Sequence, residues 1–385
     1  MSSESLAAGA GAHSGGHTVT ISTSKKLLGI TAAAGLVFGL SACGQAPEAG
    51  GEGGGAETVD GFKPCMVSDE GGFDDKSFNQ LGFEGLTKAA EELDVEYNKT
   101  ESKSVSDYVA NLDGLVDQGC TFIVSVGFML SEPTVNAAKA NPDVQFAIID
   151  DWADNDGDGK TDADNIKPLV FDTAQAAFLG GYAAAAVSET GTVGTFGGGK
   201  IPPVTIFMDG FELGVEHFNA ENDADVKVLG WDVEKQDGQF TNEFKATDTA
   251  KQMAQGLLDQ GADVLLPVGG PIYQSAGEAI RDSGGTAKLM GVDANVFNTD
   301  PKVQDILFTS IMKSMDVAVY DAAMEAAKGK FSTDPFVGVL ENGGVSLSGF
   351  NSFEDSVPAD LQSKLDEISA DIIAGKIKVE SPSSP

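Results

Sequence analysis

The sequence predicts an α/β protein of two doubly wound lobes with a ligand cleft between them, and three observations carry that reading. From Phe62 onward, short β-rich apolar runs alternate with longer helical ones, the pattern of parallel sheets covered by helices. Gly114 to Gly127 (GLVDQGCTFIVSVG) aligns without gaps onto Gly256 to Gly269 (GLLDQGADVLLPVG), 142 positions later, with seven of fourteen residues identical. A helix end, a glycine cap and a buried strand thus recur in order. A shift of 143 then brings Asp150, closing Phe146 to Ile149, onto Asp293, closing Leu289 to Val292. Each lobe therefore places an aspartate just past the carboxyl end of a strand, where open α/β sheets bind ligands.

The first 42 residues are read as a signal peptide and kept out of the fold. Lys25 and Lys26 precede Leu27 to Ala42, 16 uncharged residues that would span about 24 Å as a helix, short of a bilayer core of roughly 30 Å. The run ends in Leu40-Ser41-Ala42-Cys43, which resembles the lipobox of bacterial lipoproteins, so Cys43 is expected to be acylated and to become the N-terminus. Residues 43–58 are glycine-rich and read as a flexible tether. Lobe 1 is expected over 59–172 plus about 310–335, and lobe 2 over 173–309 plus about 336–380.

Strands are expected at Lys63 to Val67, Val95 to Asn98, Thr121 to Val126, Gln145 to Ile149, Val193 to Phe196, Val226 to Gly230, Val264 to Val268 and Lys288 to Val292. The first helix, Phe78 to Leu93, carries Phe78, Leu81, Phe83, Leu86, Ala89, Ala90 and Leu93 near 3.6 spacing. Further helices are expected at Tyr108 to Gln118, Pro133 to Ala140, Thr173 to Val187, Pro203 to Asn219, Ala246 to Gln260, Ser275 to Ser283 and Asp316 to Lys328.

Composition excludes several functions. Lys and Arg number 24 against 59 Asp and Glu, a formal charge of −35, which repels phosphate backbones and excludes nucleic acid as a partner. Arg281 is the sole arginine, so the bidentate fork for phosphates and α-carboxylates is nearly absent, and an uncharged or cationic ligand fits better. Past residue 42 only His217 remains, which starves histidine-rich zinc sites and leaves one imidazole for any Ser-His-Asp triad. Its surroundings have helical spacing, and it reads as a surface helix histidine. Cys65 and Cys120 are an even pair in an oxidising compartment, either a disulfide or two buried thiols.

Strand one runs through Ser68-Asp69-Glu70-Gly71-Gly72 into a helix, which places Asp74, Phe78 and Asn79 at a strand's carboxyl end. A flat aromatic beside an amide suits a planar heterocycle: the ring stacks and the amide offers a donor and an acceptor. A buried Phe with an Asn cap is the alternative. Lys313 interrupts the apolar run Ile306 to Val319, and either snorkels or reaches a cleft carboxylate.

Phe73 to Gln80 (FDDKSFNQ) with Phe83-Glu84-Gly85, Phe178 to Ala184 (FLGGYAA), Val193 to Gly198 (VGTFGG), Phe207 to Phe211 (FMDGF), Gly261 to Val264 (GADV), Gly291 to Asp293 (GVD) and Thr309 to Lys313 (TSIMK) together resemble the basic membrane protein family. These are ABC-transporter substrate-binding lipoproteins, several of them purine nucleoside receptors, and the resemblance spans essentially the whole chain past the tether. It implies a type I periplasmic-binding-protein fold, without enzymatic activity or a required cofactor, that closes on a nucleoside and hands it to ABC transporter permease subunits. It implies a lipid anchor in the cell membrane on the extracytoplasmic face. In such receptors phenylalanines sandwich the base, Asn and Asp read it, and an Asp, a Lys and glycine backbone hold the ribose. Motif by motif, Phe78 and Asn79 fall at the first base-contacting segment and Asp150 at the aspartate ending a lobe-one strand. Gly269 and Gly270 fall at the glycine pair, Asp293 at the ribose aspartate and Lys313 at the lysine. Phe240 falls at the second stacking ring, with Phe207 as the alternative.

Asp154, Asp156, Asp158 and Asp162 recur at EF-hand-like spacing in DNDGDGKTDADN, but the twelfth position is Asn165 and lacks the bidentate carboxylate. The segment is either a weak calcium (Ca2+) loop or a solvated acidic turn. Two other functional readings stay open at this level: a sugar or autoinducer receptor of the same fold, and a secreted nucleoside hydrolase. The hydrolase lacks an aspartate cluster with metal spacing in the expected cleft.

Overall fold

A computed structural model describes residues 60–385; the expected signal segment, Cys43 and the tether lie outside the described residues. The chain begins with β1 (Pro64–Ser68), α1 (Phe78–Leu93), β2 (Asn98–Glu101), α2 (Tyr108–Asp117), β3 (Phe122–Val126), α3 (Ser131–Ala140), β4 (Gln145–Ile149) and β5 (Ile166–Phe171). It continues through α4 (Thr173–Val187), β6 (Thr192–Gly197), α5 (Pro202–Asn222), β7 (Lys227–Leu229) and the short pair β8 (Trp231–Asp232) and β9 (Asp237–Gly238). Next come α6 (Asp248–Asp259), β10 (Val264–Val268), α7 (Ile272–Asp282), β11 (Lys288–Asp293), α8 (Val296–Thr299) and β12 (Leu307–Lys313). The last elements are α9 (Met315–Ala327), β13 (Phe336–Gly338), β14 (Val345–Leu347) and α10 (Leu361–Ile373).

Two six-stranded sheets result, ordered β13-β5-β4-β3-β1-β2 and β14-β12-β11-β10-β6-β7. Position by position the orders correspond, so the internal repeat is a repeat of topology. The aligned residues coincide as well: β3 starts at Phe122 and β10 at Val264, 142 apart, each after a glycine of positive φ (Gly119, +79°; Gly261, +97°) that ends the preceding helix. All pairings in the first sheet are parallel, and β14 is antiparallel to β12 in the second. Chain segments cross between the sheets after β5, after β12 and between β13 and β14. Helix α9 returns to pack on α1, while α10 packs on α4.

Helices α4 and α5 are buried against each other in lobe 2. Their approach is set by glycine: a Cβ on Gly181 would strike the Phe211 carbonyl, and one on Gly214 the Phe178 carbonyl. His217, expected at the surface, is only 27% exposed, because it lies in this seam beside Phe178 and Tyr182.

Several boundaries differ from expectation, each for a local reason. Strand β2 starts at Asn98, since α1 ends in a left-handed Asp94 and the Val95 N–H caps Ala90, which uses up the residues expected to open the strand. Strand β5 was unforeseen because Lys167 and Pro168 break its apolar run; Lys167 reaches Glu325 at 2.9 Å. The expected lobe boundaries also shift. Residues 310–313 stay in the second sheet, because β12 pairs with β11 as far as Met312 opposite Asp293. Residues 336–338, expected in lobe 2, complete the first sheet by pairing with Leu169 to Phe171.

Candidate functional site

The carboxyl ends of both sheets face one another across a cleft, the place where open α/β sheets bind ligands. Lobe 1 contributes three strand ends. Strand β1 delivers Asp69 and the turn into α1, β3 delivers Gly127 and Phe128, and β4 delivers Asp150. Lobe 2 contributes Val204 and Phe207 at the start of α5, Gly269 and Gly270 after β10, Asp293 ending β11 and Lys313 ending β12. Asp150 and Asp293 share more than their place in the repeat: both take left-handed backbone, φ 63° and 67°. That conformation is uncommon outside glycine and turns each side chain off its strand end.

Lys313 joins the lobes at the cleft floor. Its Nζ lies 2.6 Å from Asp150 Oδ2 and 3.3 Å from Asp293 Oδ1, with all three side chains almost wholly buried. The ring of Phe207 is 5.0 Å from the ammonium and that of Phe78 5.4 Å. Burial raises both carboxyls above their usual range, and the lysine pulls them back only in part. Burial lowers the lysine, but two facing carboxylates outweigh it, so its pKa is raised and it stays charged. Ser77 Oγ donates to the Val292 carbonyl at 2.8 Å and to Asp293 Oδ2 at 3.3 Å, a second link between lobes.

The turn from β1 into α1 adds a second acidic group to the cleft, and it is tightly wired. Asp75 accepts the backbone N–H groups of Ser77, Asn79 and Gln80 and so caps α1. Asn79 Nδ2 donates to Asp69 Oδ1 at 2.7 Å and to Asp75 Oδ2 at 3.0 Å, while its Oδ1 accepts the Asp69 N–H. Asp69 Oδ1 takes the Gly71 N–H as well; among the described residues its Oδ2 accepts nothing, and it lies toward Gly127 at the cleft wall. Burial pushes the Asp69 carboxyl up to about 7, against the pull of the Gly71 N–H and Asn79, with Asp75 and Glu70 adding repulsion.

Among the residues singled out from sequence, Phe78, Asn79, Asp150, Gly269, Gly270, Asp293 and Lys313 line this cleft. Asp74 does not. Its side chain is 89% exposed and pairs with Lys76 outside the cleft; the neighbouring Asp75 turns inward because the helix N-terminus needs a cap. Phe240 is also displaced, since it packs edge-on to Trp231 and against Gly197, and Phe244, four residues on, reaches the cleft over Gly198 and Gly269. Asp69 was missed, although the rule that found Asp150 and Asp293, an aspartate after a strand, applies to it equally.

Outside the cleft, Cys65 and Cys120 are bridged, with Cα atoms 5.9 Å apart. Asp154, Asp156 and Asp158 gather carboxylate oxygens within 4.8 Å of one another. Asp162 is turned away to accept the Asn155 N–H and lies 3.9 Å from Lys139. Among the described residues no helix is long and apolar enough to cross a membrane.

The family model described as ABC transporter substrate-binding protein, PnrA-like, matches residues 62–382. An "ABC transporter nucleoside-binding protein BmpA" of Lactococcus lactis is 28% identical over 83% of this chain and 89% of its own length. An "uncharacterized lipoprotein" of Pyrococcus abyssi is 32% identical over 76% of this chain and 71% of its own. Among solved structures, an ABC transporter solute-binding protein from Aeropyrum pernix superposes with a TM-score of 0.72 at 26% identity, covering 82% of this chain and 92% of that one.

Proposed function

The chain belongs to the PnrA-like family of ABC transporter substrate-binding proteins, and from that premise we propose that it is a lipid-anchored extracytoplasmic receptor that binds a purine nucleoside and delivers it to an ABC importer. The observation that carries the ligand class is the pairing, in one cleft, of aromatic rings from both lobes with a carboxylate–lysine–carboxylate cluster. Phe78 and Phe244 stack on the base, Asp69 meets its edge, and Asp150, Asp293 and Lys313 hold the sugar hydroxyls. Aromatic faces recognise a flat heterocycle, and ionised groups form charge-assisted bonds to hydroxyls. Four carboxyls in the cleft against one lysine oppose a phosphate, so the nucleoside is unphosphorylated. Attachment through Cys43 is supported by the lipobox and by a relative named as a lipoprotein.

Thermal melting with purine and pyrimidine nucleosides, free bases, ribose and hexoses tests this reading. A ligand at a hundred times its Kd stabilises by about 2.7 kcal/mol, so a purine nucleoside is expected to raise the midpoint clearly where ribose does not. A shift with sugars and none with nucleosides would make the protein a sugar receptor, and release of free base on incubation would make it a hydrolase.

A further inference from the structure

A second recess adjoins the ligand cleft, and Phe128, Asp150 and Pro203 line both. Its far wall is the C-terminal tail, held in place by three serines. Ser381 Oγ donates to Asp209, Ser383 Oγ bonds Thr205 Oγ1 at 2.8 Å, and Ser384 Oγ donates to Asp172 Oδ1 at 2.8 Å. Asp209 and Thr205 belong to α5 of lobe 2, and Asp172 lies at the crossover between lobes, so the tail is a fixed wall.

The recess has its own chemistry. Asp151 lines it at 8% exposure; its Oδ1 accepts the Ser131 hydroxyl and the Ala153 N–H, while among the described residues Oδ2 accepts no hydrogen bond. A carboxylate oxygen at the wall of an open recess, with no donor from the protein among the described residues, is free to accept one from a ligand. Trp152, 39% exposed, stands beside it as an apolar rim. Neither Lys nor Arg lines the recess, and Lys313 nearby is already engaged by Asp150 and Asp293.

We infer that this recess extends the ligand site and receives a cationic or hydrogen-bond-donating substituent carried on the sugar, with Asp151 Oδ2 as its acceptor. The inference rests on the nucleoside reading of the cleft, because Asp150 then marks the sugar and whatever lies beyond it lies beyond the sugar. The 5′ carbon is the exocyclic position of a ribose and the natural point of attachment. A phosphate there would set its charge beside Asp150 and Asp151 with no free cation to meet it.

Calorimetry on the whole chain, with a series built on the parent nucleoside that binds tightest, tests the inference. The series is the parent, its 5′-amino-5′-deoxy analogue and its 5′-monophosphate. The amine is expected to bind roughly tenfold tighter than the parent, and the phosphate far more weakly, as one charge-assisted bond gained or a like charge introduced would dictate. Asp151→Asn should bring the amine-to-parent affinity ratio close to one. Ser383→Phe, which fills the recess from the tail, should lower the amine's affinity relative to the parent. An amine no tighter than a parent that binds overturns the extension alone, as does an unchanged ratio in Asp151→Asn. Failure of every parent nucleoside to bind removes the underlying reading and the extension with it.

Discussion

Lys313 is the residue on which the cleft floor depends. It neutralises two carboxylates that burial would otherwise leave facing each other, one from each lobe. Breaking such a buried pair by removing one partner costs about 3–5 kcal/mol, so Lys313→Met should lose that much stability at neutral pH. The loss should shrink as pH falls, because burial raises both carboxyls and protonation removes the charge that the lysine neutralises; a loss independent of pH would contradict the assignment. Asp69 gives a second pH signature. Its folded pKa, about 7, lies above the ordinary 3.8, so between those values the native state binds more protons and stability falls as pH rises. Asp69→Asn should flatten that part of the stability–pH curve in the ligand-free protein, and a slope equal to the wild type's would refute it. Asp150, Asp293 and Lys313 were legible in the sequence because a repeat paired the aspartates and an apolar run exposed the lysine. Asp74 and Asp75 are adjacent in sequence and equal in chemistry; only the cap geometry of α1 decides which one turns inward. Phe240 and Phe244 differ in the same way, by which of two rings a loop directs over Gly198.

At the level of elements, the buried strands and long helices were legible from periodicity. Phe78 to Leu93, Gln145 to Ile149, Thr173 to Val187 and Val264 to Val268 fold over the expected spans. What periodicity could not supply was β12: its apolar residues run directly into those of α9, and a continuous apolar stretch does not say where a strand stops and a helix begins. Strands β13 and β14 are three residues each, too short to carry an alternation of their own. The acidic loop at 154–162 was visible as a motif, but the departure of Asp162 toward Asn155 was not, since it depends on the fold of the loop. Cysteine arithmetic left two outcomes for Cys65 and Cys120, and the placement of β1 beside β3 brings them together. A cross-link closing 55 residues stabilises by about 4 kcal/mol on loop entropy alone, with native strain reducing it. The Cys65→Ala/Cys120→Ala variant should therefore melt at lower temperature, and reductant should lower the wild type's midpoint while leaving the variant unchanged. A wild type insensitive to reductant after full reduction would contradict a stabilising bridge.

For the molecule as a whole, the lobes are held in contact across the cleft by polar links of modest strength. Thr299 Oγ1 donates to the Lys76 carbonyl at 2.6 Å, Ser77 reaches Val292 and Asp293, and Lys245 meets Glu70 at 3.0 Å at the rim. The rim pair is partly solvent-exposed, and such pairs contribute about 0–1 kcal/mol. Lys245→Ala should accordingly weaken ligand binding by less than about tenfold, expressed as faster release; a larger loss would move Lys245 into the site itself. The links in the floor, Lys313 between Asp150 and Asp293 and Ser77 to Val292 and Asp293, are buried and already formed. On the proposed reading, Phe78 and Asp293 recognise two parts of one nucleoside, a flat base and a sugar. Calorimetry of the wild type, Phe78→Ala and Asp293→Ala with purine nucleosides and free ribose tests it most directly. The wild type should bind a purine nucleoside one to one and far more tightly than ribose. Loss of stacking in Phe78→Ala should weaken that binding roughly fivefold to more than a hundredfold, from about 1–3 kcal/mol per base, and Asp293→Ala should be at least as severe. Folded variants that bind the nucleoside like the wild type, or a wild type that binds ribose as tightly as the nucleoside, would contradict it.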